Sequence, residues 1–279
     1  MLSAFRKKSM PHDITTSILR NIDLGNGNFL VEFEAAEMVA GMQPAQFFMI
    51  GIPGSETLLR RPFSACGTPG TFKDGADGAA QVLYKVVGKG TALMASLKAG
   101  ATLNVLGPLG RGFTPPPGEA MRPLLVAGGI GAAPFPALVA SLRSHPVRPA
   151  MLYGAATAGD LPLLNWFREE TEEVTITTDD GSLGREGLVT DPLAELLDEG
   201  DPNAFKIYAC GPEPMLKAVS YIAMKYGVDC ELSLEAHMAC GFGACLGCVV
   251  PTRGESGEEV AYDRVCMEGP VMRPEVLAW

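Results

Sequence analysis

"LLVAGGIGAAPFPALVASL" runs from Leu124 to Leu142 without a charge. A bilayer-spanning helix needs roughly 20 consecutive apolar residues, and the run comes close in length. It is broken, however, by Gly128, Gly129, Gly131, Pro134 and Pro136. That density of breakers argues for an apolar strand, a glycine turn and the start of a helix. The same pattern then recurs. "RPAMLYGAA" with "LPLLNWFREE", "VTITTDDG" with "DPLAELLDEG", and "AFKIYACG" with "PEPMLKAVSYIAMKYG" are further strand–helix pairs. Such alternation predicts a parallel sheet with helices on both faces, whose ligands sit beyond the C-terminal ends of the strands.

Upstream the pattern changes. Residues 13–113 are β-rich, beginning with "ITTSILRNIDL", a "GNGN" turn and "FLVEFEA". "AQFFMIGI", "RRPFS", "AQVLYKVVG" and "ATLNVLGPLGRGF" supply more short strands. One short helix, "TALMASLKAG", is predicted to start at Thr91 as its N-cap and to close at Gly100. Six or so short strands with one helix predict a small antiparallel barrel. "TPPPGEAMRP" (114–123) is a stiff, proline-rich connector.

Downstream the alternation stops after Gly227. "VDCELSLEA" reads as a strand, and "HMACGFGACLGC" (237–248) follows. The full spacing is Cys240-x4-Cys245-x2-Cys248, then 17 residues, then Cys266. This is the plant-type C-x4-C-x2-C…C spacing of a 2Fe–2S cluster held by four thiolates. Three ligands come from one tight loop, and the fourth closes the site from a later element. Gly241, Gly243 and Gly247 let the backbone curl close to inorganic sulfide. Structural zinc prefers paired C-x2-C knuckles, and only one occurs here. Cys66 and Cys230 sit in apolar strands as small buried hydrophobes. His237 is expected at the surface or behind the ligands. The domain expectation is therefore a barrel over 10–114, an α/β nucleotide-binding domain over 119–228 and a small cluster module over 229–279.

With 47% hydrophobic and 19% charged residues the composition is globular. The net charge of −10 makes nucleic acid and anionic membrane poor partners. "MLSAFRKKSM" has no apolar core of signal-peptide length, so the expected location is the cytoplasm, where thiols stay reduced and bind metal more often than they pair.

Several stretches of the barrel and the sheet resemble the ferredoxin–NADP reductase superfamily. "RRPFS" (60–64) resembles its flavin strand, and "LYKVVGKGT" (83–91) its second flavin element, where a helix N-terminus suits a pyrophosphate. "GPLGRGF" (107–113) is similar to its glycine turn before the nucleotide domain. "AGGIGAAP" (127–134) departs from G-x-G-x-x-G by ending in Pro134, and resembles the superfamily's G-G-x-G-x-x-P. "YACGPEPM" (208–215) is the partner signal, which would bring Cys210 close to the nicotinamide; the alternative is a buried strand-end thiol. In "TDDG" (178–181), Asp179 and Asp180 would repel a 2′-phosphate and suit a ribose hydroxyl, favouring NAD over NADP.

The order of these parts, with "MACGFGACLGC" and "RVCMEGPV" (264–271), resembles the electron-transfer subunits of type B, NAD-dependent dihydroorotate dehydrogenases from about Asp13 onward. The resemblance implies FAD contacts at Arg61, Pro62, Phe63, Ser64, Leu83, Tyr84, Lys85, Gly90 and Thr91. Lys85 stands where the family has arginine. It also implies NAD contacts at Gly129, Gly131, Asp180, Cys210 and Gly211, and cluster ligands Cys240, Cys245, Cys248 and Cys266. The implied activity is a relay in pyrimidine (UMP) biosynthesis. Dihydroorotate is oxidised on a separate FMN-containing subunit, and its electrons pass through the 2Fe–2S cluster and FAD to NAD. No catalytic acid, base or nucleophile is asked of this chain. The implied assembly is two of these chains with two catalytic chains. The FAD/2Fe–2S subunits of ferredoxin–NAD(P) oxidoreductases, sulfide dehydrogenases and hydrogenase-type diaphorases share the layout and are the alternative.

Overall fold

The computed structural model describes residues 11–254 and 260–279. The barrel start expected at residue 10, and the N-terminal stretch read for an export signal, lie outside them.

Strands β1 (His12–Gly25) and β2 (Asn28–Glu34) form a hairpin. Gly25, Asn26 and Gly27 all take positive φ at its tip, so two glycines supply a backbone that L side chains rarely adopt. A short helix α1 (Ala36–Val39) leads to β3 (Phe47–Gly51), β4 (Arg61–Ser64), β5 (Ala79–Lys85), helix α2 (Lys89–Ser96) and β6 (Thr102–Leu109). The strands form one antiparallel sheet in the order β4-β3-β6-β1-β2-β5. Gly67, just past β4, bridges to Gln81 on β5 and brings the two edges together into a nearly closed barrel. Alternation along β3 sorts its side chains. Phe48 and Ile50 fill the barrel with Val31, Phe33, Val82 and Tyr84, whereas Phe47 and Met49 leave through the outer wall.

Helix α2 differs from the sequence expectation at both ends. Gly88 is its N-cap, and Thr91 stands inside the first turn. The Thr91 hydroxyl accepts the N–H groups of Val87 (2.9 Å) and Gly88 (3.1 Å) and donates to the Gly88 carbonyl, closing the loop from β5. The helix ends at Ser96 with an extended Leu97, so Gly100, at φ +86°, turns the chain into β6 instead of capping the helix.

The second sheet has seven strands in the order β10-β9-β8-β7-β11-β12-β15. They are β7 (Arg122–Gly128), β8 (Ala150–Ala155), β9 (Val174–Thr178), β10 (Arg185–Glu186), β11 (Phe205–Cys210), β12 (Asp229–Ser233) and, after a hairpin of β13 (Val249–Arg253) and β14 (Val260–Arg264), β15 (Val271–Met272). All pairings are parallel except that of β15 with β12. Helices α3 (Phe135–Ser141) and α4 (Leu164–Glu170) cover one face, and α5 (Thr190–Glu199) and α6 (Glu213–Tyr226) the other. The unbroken apolar run of β7 follows from this. Leu124 and Val126 pack under α5 and α6, while Leu125 and Ala127 pack under α3 and α4, so none of these four residues faces water.

The sequence expectation places β12 in the cluster module over 229–279, whereas in the fold it pairs with β11 from Lys206↔Asp229 to Cys210↔Ser233. The described residues of 234–254 and 260–270 therefore lie outside the nucleotide-domain sheet, between its strands β12 and β15. A buried polar knot pins the interdomain connector to this sheet. Lys206 Nζ donates to Thr114 Oγ1 (2.6 Å) and Glu231 Oε1 (3.2 Å), and Thr114 N donates to Glu231 Oε2 (2.9 Å). Tyr208 hydroxyl donates to the Thr114 carbonyl at 2.8 Å. One hydrophobic core then joins all three parts: Phe47, Met49 and Leu109 of the barrel, Leu216 and Val219 of α6, and Cys248, Val265 and Cys266.

Candidate functional site: two cradles and a thiol cluster

The first cradle lies where β4 meets α2. Arg61 and Phe63 point one way along β4, and Pro62 and Ser64 the other. A Cβ on Gly90 would stand 2.8 Å from Arg61 Nε, so the guanidinium lies against the first turn of α2. The Arg61 side chain also donates to the Leu59 carbonyl. Unpaired N–H groups of that turn and one guanidinium make a site for a polyanion such as a diphosphate. Tyr84 is buried, stacked on Phe29 at 5.5 Å and edge-on to Phe63 at 6.0 Å, with its hydroxyl donating to Asn21. Only its main chain is left for a ligand. Burial pushes its phenol up to about 12. Leu83 packs with Leu30, Cys66, Phe72 and Ala133 at the border of the two domains.

The second cradle is a cavity of about 540 Å³ at the C-terminal ends of β7, β8 and β9. Gly128, Gly129, Gly154, Thr177, Asp179 and Met215 line it on the sheet side, with Asn28 and Lys85 reaching in from the barrel. Of the expected NAD contacts only Gly129 lines it; Gly131, Cys210 and Gly211 lie behind the lining. Those two glycines are forced by close approach. A Cβ on Gly131 would stand 2.5 Å from the Cys210 carbonyl oxygen, and one on Gly211 would stand 2.6 Å from Met215 Cε. The turns after β7 and β11 thus touch, which is why "GGIG" and "CGP" occur together. Cys210 ends β11 within this junction and is buried. Burial, then the nearby Glu235 carboxylate, push its thiol well above the ordinary range despite a hydrogen bond from Ser233, so it stays protonated. Asp180 does not line the cavity. Its carboxylate accepts Ser182 N (3.0 Å) and Oγ (2.6 Å) within its own turn, and its neighbour Asp179 faces the cavity instead.

Sequence reasoning missed a clasp across this cavity. Asp160 accepts Lys85 Nζ from the barrel, Asn26 Nδ2 from the hairpin tip (2.8 Å) and Thr157 Oγ1 (3.0 Å). The hydrogen bond from Lys85 holds the Asp160 carboxyl below its usual range against the opposing effect of burial. No spacing in "ATAGDLP" announces it, because its two barrel partners, Asn26 and Lys85, lie more than 70 residues away.

The four cysteines of the spacing motif converge. Cys245 is exposed and Cys240 half-buried, whereas Cys248 and Cys266 are buried. Among the described residues no three metal-ligating side chains are set for a single ion. Cys240 neighbours Cys245, and Cys266 neighbours both Cys248 and Cys240, so the four thiols gather in one place, in keeping with the four thiolates that a 2Fe–2S cluster would take. The loop is shaped for anionic sulfur. Gly241 and Gly243 take φ of +80° and +87°, and a Cβ on Gly243 would stand 2.7 Å from Met267 Cγ. Burial raises the Cys240 thiol, but hydrogen bonds from the backbone N–H groups of Phe242, Cys245 and Ala244 and from the Cys245 thiol bring it down to about 6. Burial, together with its bond to Cys248, pushes Cys266 up to about 12 even though the Gly243 N–H faces it. Arg264 ties the two halves, donating to Gly243 O (3.3 Å) and to Glu268 Oε1 (2.7 Å). Donor set, backbone N–H groups and glycine curvature all fit a 2Fe–2S cluster. His237 is exposed, and Cys66 and Cys230 are buried in apolar cores.

Comparison with known proteins agrees with this layout. The family model described as "Iron-sulfur cluster binding domain of dihydroorotate dehydrogenase B" matches residues 235–277, and "Oxidoreductase NAD-binding domain" matches residues 125–221. The dihydroorotate dehydrogenase B (NAD(+)) electron transfer subunit of Caldanaerobacter subterraneus subsp. tengcongensis is 40% identical over 83% of this chain and 85% of its own. Its counterpart from Listeria monocytogenes is 40% identical over 86% and 89%. Among solved structures, the NADH-dependent reduced ferredoxin–NADP oxidoreductase, described for flavin-based electron bifurcation, superposes with a TM-score of 0.78 at 28% identity, covering 95% of this chain and 90% of that one. A ferredoxin–NADP reductase from Neisseria gonorrhoeae shares the fold alone, at 15% identity, a TM-score of 0.62 and coverage of 77% and 92%.

Proposed function

The chain belongs to the family of dihydroorotate dehydrogenase B electron transfer subunits, and we propose that it carries electrons between a dihydroorotate-oxidising FMN subunit and NAD in pyrimidine biosynthesis. The observation that carries this reading is the gathering of four thiols at the core shared by the barrel and the nucleotide sheet, with Cys248 and Cys266 inside that core and Cys240 and Cys245 at its surface. When bound, FAD and the cluster would supply the chemistry, hydride exchange with nicotinamide and single-electron exchange between them. The chain's own residues position and insulate. Arg61 and the first turn of α2 would hold the FAD diphosphate, Pro62–Ser64 and the main chain of Leu83–Lys85 would hold the rest of the flavin, and the glycine turns after β7 and β11 would admit NAD. Cys210 keeps its proton and lines the meeting point without acting as a nucleophile. Cys240, Cys245, Cys248 and Cys266 hold the iron.

Functional division follows: barrel to residue 114, nucleotide domain from 119, and cluster module after 228, the last sharing β12 with the sheet. We place the complex in the cytoplasm, as two plus two chains. Among the described residues no helix is long and apolar enough to cross a membrane. The test is reconstitution. Dihydroorotate-dependent NADH formation should require both this chain and an FMN subunit, and the complex should have the mass of a heterotetramer. A second reading, the flavin subunit of a ferredoxin–NAD(P) oxidoreductase, is favoured by the 0.78 superposition. It predicts co-purification with a large iron–sulfur protein instead.

Two further outcomes are expected. Arg61→Ala removes a charge-assisted contact of about 1.5–3 kcal/mol, so FAD should bind about 10–100-fold more weakly in a fluorescence titration. An unchanged Kd would remove Arg61 from the diphosphate site. Asp179→Ser should relax the preference for NADH over NADPH by about tenfold or more in kcat/KM, because like charges brought together cost several kcal/mol. If the ratio stays put, another group reads the ribose.

A further inference from the structure

We propose that Met49 is a positioning residue that sets how the iron–sulfur loop stands against the flavin strand. The inference rests on the flavin and cluster readings above. Met49 lies on β3, with Pro62 of the R-P-F-S strand as its cross-strand partner on one side and Leu106 of β6 on the other. Cross-strand partners share a face, so the Met49 and Pro62 side chains stand together on the outer wall of the barrel. Met49 is nevertheless fully buried, at 0% exposure. What covers it is the cluster loop. A Cβ on Gly241 would overlap Met49 Cγ and stand 2.9 Å from its Sδ and 3.2 Å from Leu109 Cδ1. Gly241 directly follows Cys240. The backbone carrying the first thiol thus rests on one thioether, whose neighbour in the sheet is the strand that flanks the flavin.

The other end of the module is fastened to the same wall. Arg111 N donates to Gly269 O at 2.6 Å, and a Cβ on Gly110 would stand 2.5 Å from Pro270 Cδ and 3.0 Å from the Phe47 ring. The glycine of "GPLGRGF" is therefore a seat for the cluster module. With that end fixed, Met49 is the spacer under the thiol-bearing end. An unbranched thioether suits the task, since it fills an irregular gap without a fixed shape. Cutting it back to alanine leaves a void beneath the loop that the surroundings fill only in part. Leucine keeps nearly the same volume.

The test uses the isolated full chain loaded with FAD and iron, under nitrogen, with NADH as the reductant. NADH would pass a hydride to FAD and become NAD; of the two electrons then on the flavin, one would reduce and bleach one cluster and the other would stay on the flavin. Met49→Ala should retain FAD and about two irons per chain, and its flavin should bleach at the wild-type rate. Bleaching of the cluster should slow several-fold. Amides of residues 240–247 should exchange with deuterium several-fold faster, while those of β7 and β11 do not change. Met49→Leu should restore both. The proposal is overturned if cluster bleaching and loop exchange both match wild type in Met49→Ala. It is overturned equally if that variant loses its iron or flavin, since Met49 would then be an ordinary core residue. Failure of the wild-type chain to take up FAD or iron would fault the flavin and cluster readings instead. Exchange of the loop amides in unloaded Met49→Ala would still decide whether Met49 supports the loop.

Discussion

Cys245→Ser is expected to lose the visible absorbance of the cluster, with iron falling from about two per chain to near zero, and to keep its FAD. Cys245 is the ligand best suited to separating metal from fold. It is exposed, and its sulfur accepts only the Gly247 N–H at 3.4 Å, so a serine there buries no new hydroxyl. The Arg61 cradle lies on β4 and α2 and shares no residue with the loop. NADH oxidation by ferricyanide, a small acceptor that can take electrons from the flavin, should therefore stay within a few-fold of wild type. Dihydroorotate-dependent NAD reduction in the reconstituted complex should fall to background. Iron analysis and flavin fluorescence on the same sample decide the matter. Loss of flavin along with iron would mean that the modules are not separable, and retained iron would mean that Cys245 is not a ligand.

Glu231→Ala should be the most destabilising single change outside the metal site, costing about 3–5 kcal/mol, because it leaves a buried ammonium without its counter-ion. Lys206 and Glu231 side chains are 3% and 7% exposed. Asp229 Oδ2, at 3.7 Å from Lys206 Nζ, is too distant to replace the lost carboxylate in full. The Thr114 N–H loses its acceptor at the same stroke. Since total stabilities run from about 5 to 15 kcal/mol, the urea midpoint should drop sharply. Replacing the pair together, Lys206→Met with Glu231→Leu, should recover much of the loss, because the desolvation cost of both charges disappears with them. A single variant within about 1 kcal/mol of wild type would mean that water reaches the knot and that the connector is held by other means.

The sheet and the barrel were legible because burial writes a period into sequence. The apolar run of β7 and the alternation of β3 each state how many faces are covered. The four candidate ligands were legible because a cluster would fix their spacing along the chain. Other features carry no such record. Asp179 and Asp180 are adjacent, and only the hydrogen bonds of the Ser182 turn decide which carboxylate faces the cavity. Thr91 looks like an N-cap by residue type, yet its hydroxyl closes the loop that precedes the helix. The end of the nucleotide domain was hidden for a different reason. β12 joins the sheet by pairing with β11 and is completed by β15, some 40 residues later, and no local pattern foretells that return.

That return also guards the margin of the sheet. A parallel sheet with an uncovered outer strand offers free backbone donors and acceptors to any passing chain. Here the cover over β12 is Val271–Met272, which pairs with Leu232 and Ser233. The turn just before it is tied to the barrel by Arg111 N on Gly269 O, and back to the end of β12 by Leu234 N on Pro270 O. Neither tie passes through a thiol, so the guard should outlast the metal, and a chain stripped of iron should stay monodisperse in solution.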